Sequence, residues 1–199
     1  MTEEIKAPQN VPKSSTTKEE RAVVLDYLEH GYPFETGAMK SQIVQALGIN
    51  HLTLLELIPK KGVFLQPHQE VYIGEGKRDE IHHIKGRIPT SKLTSTAKAE
   101  LPHVLDKIVS ADEKRFVDFF NTAQPLSMRM HQLELLPGLG KKHMWEIIEA
   151  RKEKPFESFE DLKSRVKLLP NPKQVILKRI LLELEGEEKY NLFVGLAHQ

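Results

Sequence analysis

A short stretch in the C-terminal half, residues 135–142 (LLPGLGKK), restricts the fold of this chain more than any other. Pro137 cannot continue a helix, and Gly138 and Gly140 admit backbone angles that other residues avoid. An apolar run precedes these residues, and a helical pattern starts again at Lys141. The sequence therefore predicts two helices, over 125–136 and 141–151, that are joined by a tight turn.

A turn of this kind leaves backbone amides uncovered beside the positive end of the second helix dipole, which favours an anion. The stretch resembles the helix-hairpin-helix motif, whose turn reads Leu-Pro-Gly-aliphatic-Gly and whose amides hold a nucleic-acid phosphate without reading base sequence. The alternative is a plain structural turn. The resemblance implies phosphate contacts at five positions: Gly138, Leu139, Gly140, Lys141 and Lys142.

A second copy of the same pattern follows. Leu168-Leu169-Pro170 lies 33 positions after Leu135-Leu136-Pro137. Asn171 is a good helix N-cap and Pro172 a good first helical residue, so a helix starts there and stops at Gly186. Both glycines of the first turn are missing. The sequence therefore predicts tandem helix-hairpin-helix units with a degraded second copy, preceded by a helix that Ser158 caps.

A basic run surrounds the second copy. Six Lys or Arg residues and no acidic residue occur from 163 to 179. A solvated helix face is the ordinary interpretation of such a run, but its position at a helix N-terminus favours contacts with the phosphate backbone. The six are Lys163, Arg165, Lys167, Lys173, Lys178 and Arg179.

The N-terminal half has a different pattern. Short strand candidates occur at 21–27, 41–47, 52–58, 70–73 and 81–88, and their regular spacing favours an antiparallel barrel of the oligonucleotide/oligosaccharide-binding (OB) type. In the loop 74–80, Lys77 and Arg78 are candidates for weaker phosphate contacts, with a solvated hairpin as the alternative. Residues 1–20 are polar and contain proline, which predicts a disordered tail.

The region between these parts is predicted to be helical. A helix over 94–109 should break near Pro102, and Ser110 with Glu113 matches a capping box. Phe116, Phe119 and Phe120 are expected in a core between the two halves. The predicted fold class is α+β in two domains: a tail at 1–20, a small OB-like antiparallel β-barrel at 21–92, and an all-α tandem helix-hairpin-helix domain at 93–199.

Taken end to end, the chain resembles an uncharacterised archaeal family of predicted RNA-binding proteins with a domain of unknown function. The resemblance extends from about residue 20 to residue 194. It implies an OB-like β domain followed by a helical domain with the hairpin motif, and it brings no known catalytic residue or ligand. The stretches that carry it are LTLLELIPKKGV, VYIGEGKRDEIHHIKGRI and LELLPGLGKKHMWEIIEARKEKPFESFEDLKSRVKLLP.

Composition narrows the function. The net charge is only +1, so affinity for a nucleic acid must come from local patches. The chain has no cysteine and no apolar run that could span a membrane, which favours a cytoplasmic protein. We expect a non-catalytic RNA-binding protein without a cofactor. DNA binding and a protein-interaction role in a ribosome or transcription assembly remain the alternatives.

Catalysis and metal binding have little support in the sequence. Asp79, Glu80, His82 and His83 form the only dense set of ionisable groups beside a predicted strand, which makes a nuclease site the weakest hypothesis. Adjacent residues of a regular strand point to opposite faces, so His82 and His83 are not expected to share a metal ion.

Overall fold

The structure is a computed structural model that describes residues 18–32 and 41–195. Most of the predicted tail, residues 1–17, lies outside the described residues. Its last three residues are ordered, because the buried carboxylate of Glu19 accepts hydrogen bonds from the backbone amides of Asn50 and His51 at 2.8 and 2.9 Å.

All five predicted strands of the N-terminal half form, and they belong to one sheet. They are β1 (Arg21–Leu28), β2 (Ile43–Gly48), β3 (Leu54–Pro59), β4 (Glu70–Tyr72) and β5 (Ile81–Arg87). Their order is β4-β1-β2-β3-β5, with every neighbouring pair antiparallel. The sheet curls into a half-barrel whose edge strands are β4 and β5.

The sheet is buried on both faces. Val24, Ala46 and Leu57 belong to a core inside the curl. Leu47 and Leu54 belong instead to a second core that the helices cover. Alternation along β2 and β3 thus separates two apolar faces, which explains why these strands read as nearly continuous apolar runs.

Two helices follow the sheet, α1 (Ser95–Ala111) and α2 (Glu113–Thr122). The predicted break near Pro102 is wrong, since α1 continues through this residue with its ring on the exposed side. The predicted capping box is also wrong: the hydroxyl of Ser110 donates to the carbonyl of Asp106 inside α1 at 2.6 Å. The carboxylate of Glu113 accepts instead from the amide of Phe159.

The helix predicted over 125–136 does not form. A small hairpin of β6 (Pro125–Ser127) and β7 (Met130–His131) leads into a short 3-10 helix, Gln132–Leu135. Gln124 and Gln132 close the hairpin through two hydrogen bonds of 2.7 and 3.1 Å. Polar side chains that bond locally to the backbone compete with helix formation, and here they prevail.

The remaining helices agree with the sequence. They are α3 (Lys141–Glu153), α4 (Phe159–Arg165) and α5 (Pro172–Glu185). The Ser158 hydroxyl caps α4 by accepting from the amide of Asp161 at 3.0 Å. Gly186 ends α5 in the left-handed conformation with φ +81°.

Sheet and helices share a continuous apolar core. Leu47 and Leu54 of the sheet belong to the same buried cluster as Phe116 and Ile180 of the helices. The C-terminal segment joins the two regions as well, because the amide of Gly195 donates to the carbonyl of His51 at 2.7 Å. The predicted boundary at residue 92 therefore passes through packed structure.

Candidate nucleic-acid interface

The first turn, Leu136–Gly140, has two glycines with different backbone roles. Gly138 has φ +85°, and a Cβ atom there would lie 3.7 Å from Cγ of Pro170 in the second turn. Gly140 has φ −92°, and a Cβ atom there would meet nothing within 4 Å. Gly138 thus makes the turn possible, whereas Gly140 leaves open space above the start of α3.

The N-terminus of α3 has no side-chain cap. The first amides of any helix lack an intrahelical partner. The N-cap residue of α3 is Gly140, which has no side chain that could accept a hydrogen bond from them. Lys141 and Lys142 are exposed on this first turn. Lys142 makes a long i,i+4 contact of 3.9 Å with Glu146. Free amides, the positive end of the helix and two lysines therefore meet at one point.

The second turn closes the equivalent position. The side chain of Asn171 accepts a hydrogen bond from the amide of Gln174 at 3.2 Å, and Pro172 has no amide hydrogen to offer. Two of the donors that the first turn leaves open are therefore absent or already bonded in the second turn. The N-cap residues also differ in backbone conformation, with φ/ψ of −92°/177° at Gly140 and −52°/111° at Asn171. The two helix N-termini therefore differ both in shape and in the donors that they can offer.

The six residues of the basic run divide into exposed lysines and residues that are bonded to other parts of the protein. Lys163, Lys167 and Lys178 are exposed. Arg165 lies at the end of α4, and its guanidinium donates to the carbonyls of Ala150 and Lys154 and lies 4.6 Å above the ring of Phe156. Lys173 pairs with Asp106 of α1 at 2.7 Å.

Arg179 is buried, contrary to the prediction that it faces a phosphate backbone. Its side chain is 3% exposed and forms ion pairs of 2.8 Å with Glu183 and Glu188. It also donates to the carbonyl of Leu135, which joins α5 to the 3-10 helix before the first turn. The sequence contains a signal for this burial, because Ile176, Arg179, Ile180 and Glu183 have the spacing of one helix face.

The carboxylate of Glu183 completes this network. It accepts hydrogen bonds of 2.7 to 2.9 Å from the backbone amides of Leu192, Phe193 and Val194. These three bonds fix the C-terminal segment, and Phe193 then packs against Phe119 with the ring centroids 4.9 Å apart. Arg179 and Glu183 are thus structural residues.

The loop between β4 and β5 contains the other two predicted contacts. Lys77 is exposed. Arg78 donates from Nε to the carbonyl of Gly74 at 2.8 Å, which holds the loop closed. Arg78 and Arg87 line a cleft of about 1010 Å³ between the edges of β4 and β5. This cleft is remote in sequence from the turn before α3.

A buried carboxylate lies on the outer face of β3. Glu56 forms ion pairs with Lys85 at 2.5 Å and Lys92 at 2.7 Å, and it accepts from the hydroxyl of Tyr32. Burial raises the pKa of Glu56, but the hydrogen bonds from Lys85, Lys92 and Tyr32 outweigh it and lower the pKa overall. The ammonium group of Lys85 is therefore bound to Glu56 within the protein.

Sequence reasoning missed an exposed aromatic residue beside the first turn. The apolar residues around Trp145 in the sequence, Met144 and Ile147, favour a core position for it, yet it is 58% exposed. It follows Lys141 by four positions, so the two side chains lie on the same face of α3. The spacing of Lys141 and Trp145 is a sequence signal for a pair on one helix face. It does not show by itself whether that face is exposed.

Two further observations concern metals and membranes. Within residues 18–32 and 41–195, the structure brings no three His, Asp or Glu side chains together in an arrangement that could hold a metal ion. None of the helices in this part of the chain is both long enough and apolar enough to cross a membrane.

Comparisons with known proteins agree with this architecture. An uncharacterized protein of Methanocaldococcus jannaschii, MJ0038, is 47% identical over 178 residues, which are 88% of this chain and 80% of that protein. The crystal structure of Af1531 from Archaeoglobus fulgidus has a TM-score of 0.79 at 46% identity and covers 88% of this chain and 99% of that chain. Residues 18–195 match the model of a family described as protein of unknown function, DUF655. The expected membership of an uncharacterised family with archaeal relatives is confirmed, and the chain belongs to the DUF655 family.

Proposed function

We propose that the protein is a non-catalytic nucleic-acid-binding protein that holds a phosphate of RNA at the start of α3. The observation that carries this proposal is the difference between the two turns. The first leaves its helix amides uncapped beside two exposed lysines, whereas Asn171 and Pro172 close the second. An uncapped helix start with positive side chains is the arrangement that a phosphate group requires.

The backbone around Gly140 allows a close approach. Apart from Gly140 itself and its two chain neighbours, no atom of residues 18–32 and 41–195 lies within 4 Å of the position that a Cβ would take, which leaves room for a phosphate oxygen beside the amides of the first helical turn. Lys141 and Lys142 add charge without fixing a base identity, because phosphate contacts position a nucleic acid rather than specify its sequence. In this proposal, the turn between the 3-10 helix and α3 binds the phosphate as the turn of a helix-hairpin-helix motif does, with the short 3-10 helix in place of the first helix.

Trp145 supplies a reason to favour RNA with unpaired bases. An exposed aromatic ring near a phosphate site can stack on a base, and such stacking contributes about 1 to 3 kcal/mol per base. The exposed lysines Lys163, Lys167 and Lys178 would extend the contact along the backbone. Lys77, with Arg78 at the cleft between β4 and β5, would be a second and weaker surface on an OB-like half-barrel.

The experiment is a titration with labelled structured RNA and with duplex DNA across a salt series. Trp145 is the only tryptophan of the chain, so its fluorescence reports binding directly. The double variant Lys141→Ala/Lys142→Ala should flatten the log-log salt slope by about 1.4 to 1.8 units, since each phosphate contact contributes about 0.7 to 0.9.

The matched control is Lys98→Ala/Lys114→Ala, which removes two exposed lysines from α1 and α2. This variant should have the slope of the wild type. An equal loss of slope in both double variants would mean that only general charge matters, and it would contradict the assigned role of the first turn. Tighter binding of duplex DNA than of RNA would favour the DNA alternative.

A protein-interaction module is the second candidate, and exposed apolar side chains favour it. Met128 at the tip of the β6–β7 hairpin is fully exposed, and Leu168 in the second turn is 85% exposed. Exposed apolar side chains mark a contact with a protein partner where they form one continuous patch. This candidate predicts no binding of RNA or DNA even at low salt.

A further inference from the structure

A proline at the end of β3 changes the course of β5. Ile58 pairs with His83, but the next residue, Pro59, pairs with Ile81, so His82 is an extra residue in β5. Pro59 has no amide hydrogen to give to the neighbouring strand, and such positions favour a β-bulge. The bulge ends the alternation that otherwise directs adjacent side chains to opposite faces.

The bulge brings two imidazoles together on the surface. The Nδ1 atoms of His82 and His83 are 2.8 Å apart, and their ring centroids are 5.0 Å apart with the planes at 76°. Both residues are exposed. Adjacent histidines were not expected to share an ion, because adjacent side chains of a regular strand point to opposite faces. At the bulge the strand is not regular, so this restriction does not apply to His82 and His83.

The separation of the two nitrogens is short enough for one metal ion to bind both. Two imidazole nitrogens that are each about 2.0 to 2.1 Å from one metal ion lie about 2.9 Å apart at a 90° angle, and about 3.4 Å apart in a tetrahedron. The observed 2.8 Å is the ordinary length of a hydrogen bond between the two rings, and it is also close to the first value, so a rotation of the exposed rings would direct both lone pairs to one ion. Right-angled nitrogen ligands suit Cu²⁺ and Ni²⁺, whereas a tetrahedral set suits Zn²⁺.

We propose that His82 and His83 form a surface site for a divalent transition-metal ion of the Cu²⁺ and Ni²⁺ class, bound through both Nδ1 atoms. No third His, Asp or Glu of the described residues joins the pair, so water would occupy the other coordination positions. Without an ion, one Nδ1–H donates to the other Nδ1. On binding, the proton of that ring moves to Nε2 by exchange with solvent, and both Nδ1 lone pairs then face the ion.

The test is titration of the untagged full chain with CuCl₂ and NiCl₂, followed by calorimetry and by electron paramagnetic resonance of the Cu²⁺ form. His82→Ala and His83→Ala should each weaken binding at this site at least about tenfold, because even the loss of an outer-shell partner commonly costs that much. Both positions are exposed, so the folded structure should be retained, which circular dichroism checks.

The control variant is His103→Ala, which removes another exposed histidine from α1. It should retain the affinity and the spectrum of the wild type, with two nitrogen ligands on Cu²⁺. MgCl₂ should not compete, since Mg²⁺ prefers oxygen ligands. Metal binding that is equal in the wild type and in both the His82 and His83 variants would overturn the proposal and leave the pair as a hydrogen-bonded contact.

Discussion

Single residues decide what the starts of α3 and α5 can do. The helix α3 has Gly140 at its N-cap, whereas α5 has Asn171 there and Pro172 at its first position. Asn171 satisfies one backbone donor of α5 and Pro172 removes another, while the same two positions of α3 keep both donors. Gly138 has a different role, because its φ of +85° lies in the region that L-residues rarely adopt.

This difference gives a prediction for the two glycines. Gly138→Ala should lower the free energy of unfolding by about 1 to 2 kcal/mol, since a Cβ atom is strained in the left-handed region. Gly140→Ala should leave the fold intact, because its backbone is extended and its Cβ meets open space. Urea unfolding of both variants checks this, and equal destabilisation by the two would contradict the assigned roles.

His131 gives a prediction for the pH dependence of stability. It is buried, and its Nδ1 accepts from the amide of Leu133 at 3.1 Å. Burial and then the charge of Arg151 lower the pKa of His131 in the folded state. The unfolded chain therefore binds the proton more readily, so the contribution of neutral His131 to stability is complete above about pH 6.5 and is lost as the pH falls through the lower folded pKa.

The measurement compares urea unfolding of the wild type and His131→Asn at pH 7.5 and pH 5. Asparagine can still cap the 3-10 helix but does not titrate. The wild type should lose more stability than the variant between the two pH values. A loss of the same size in both proteins would mean that other groups cause the pH dependence.

At the scale of elements, the strands and helices that were predicted correctly are those for which apolar periodicity and cap or turn residues indicate the same element. The five strands, α4 and α5 have clear periodicity, and Ser158, Asn171 and Gly186 are conventional cap residues that the structure uses as such. The hairpin at 125–131 was not predictable, because its closure depends on a pair of glutamines eight positions apart that any helix would also tolerate. The bulge at His82 depends on Pro59, which lies in the neighbouring strand β3. The sequence of β5 alone therefore does not predict it.

The basic run shows the same limit for the candidate site. Charge along the sequence did not distinguish exposed Lys178 from buried Arg179, which are adjacent on α5. Only the partners do so: Arg179 joins α5 to the 3-10 helix and, through Glu183, to the C-terminal segment. The candidate site is therefore smaller than the sequence indicated, with Arg179 removed from it.

Arg179→Ala should lower the free energy of unfolding by about 3 to 5 kcal/mol, because it leaves the buried carboxylate of Glu183 without its cation. Lys178→Ala is the matched control at the next position and should change stability by less than about 0.5 kcal/mol. Urea unfolding measures both. A mild effect of the Arg179 substitution would contradict the structural role of this network.

At the scale of the whole molecule, the sheet and the helices depend on one another. The outer face of the sheet, including Leu47 and Leu54, packs into the cluster that contains Phe116 and Ile180. Gly195 contacts the loop at His51 in addition. A near-neutral net charge of +1 also means that no broad field attracts a nucleic acid, so orientation must come from the local site.

The shared core predicts one cooperative unfolding transition for the full chain. Far-ultraviolet circular dichroism reports the helices and the sheet together. The free energy of unfolding that it gives should equal the free energies of opening measured by hydrogen exchange for amides of β2 and of α5. A fragment ending at residue 92 should fail to fold, since the outer face of its sheet would be exposed. Two separated transitions would contradict this expectation and favour independent domains.

If the open amides at the start of α3 bind phosphate, an N-cap side chain copied from the second turn should compete with the phosphate for them. Gly140→Asn introduces the cap that Asn171 provides, so it should raise the free energy of unfolding by a few tenths of a kcal/mol. It leaves Lys141, Lys142 and the net charge unchanged. The measurement is RNA affinity of the wild type and Gly140→Asn at one low salt concentration, followed through Trp145 fluorescence. We expect the more stable variant to bind RNA more weakly than the wild type. Undiminished binding by a variant that is shown to be capped would mean that these amides do not bind phosphate.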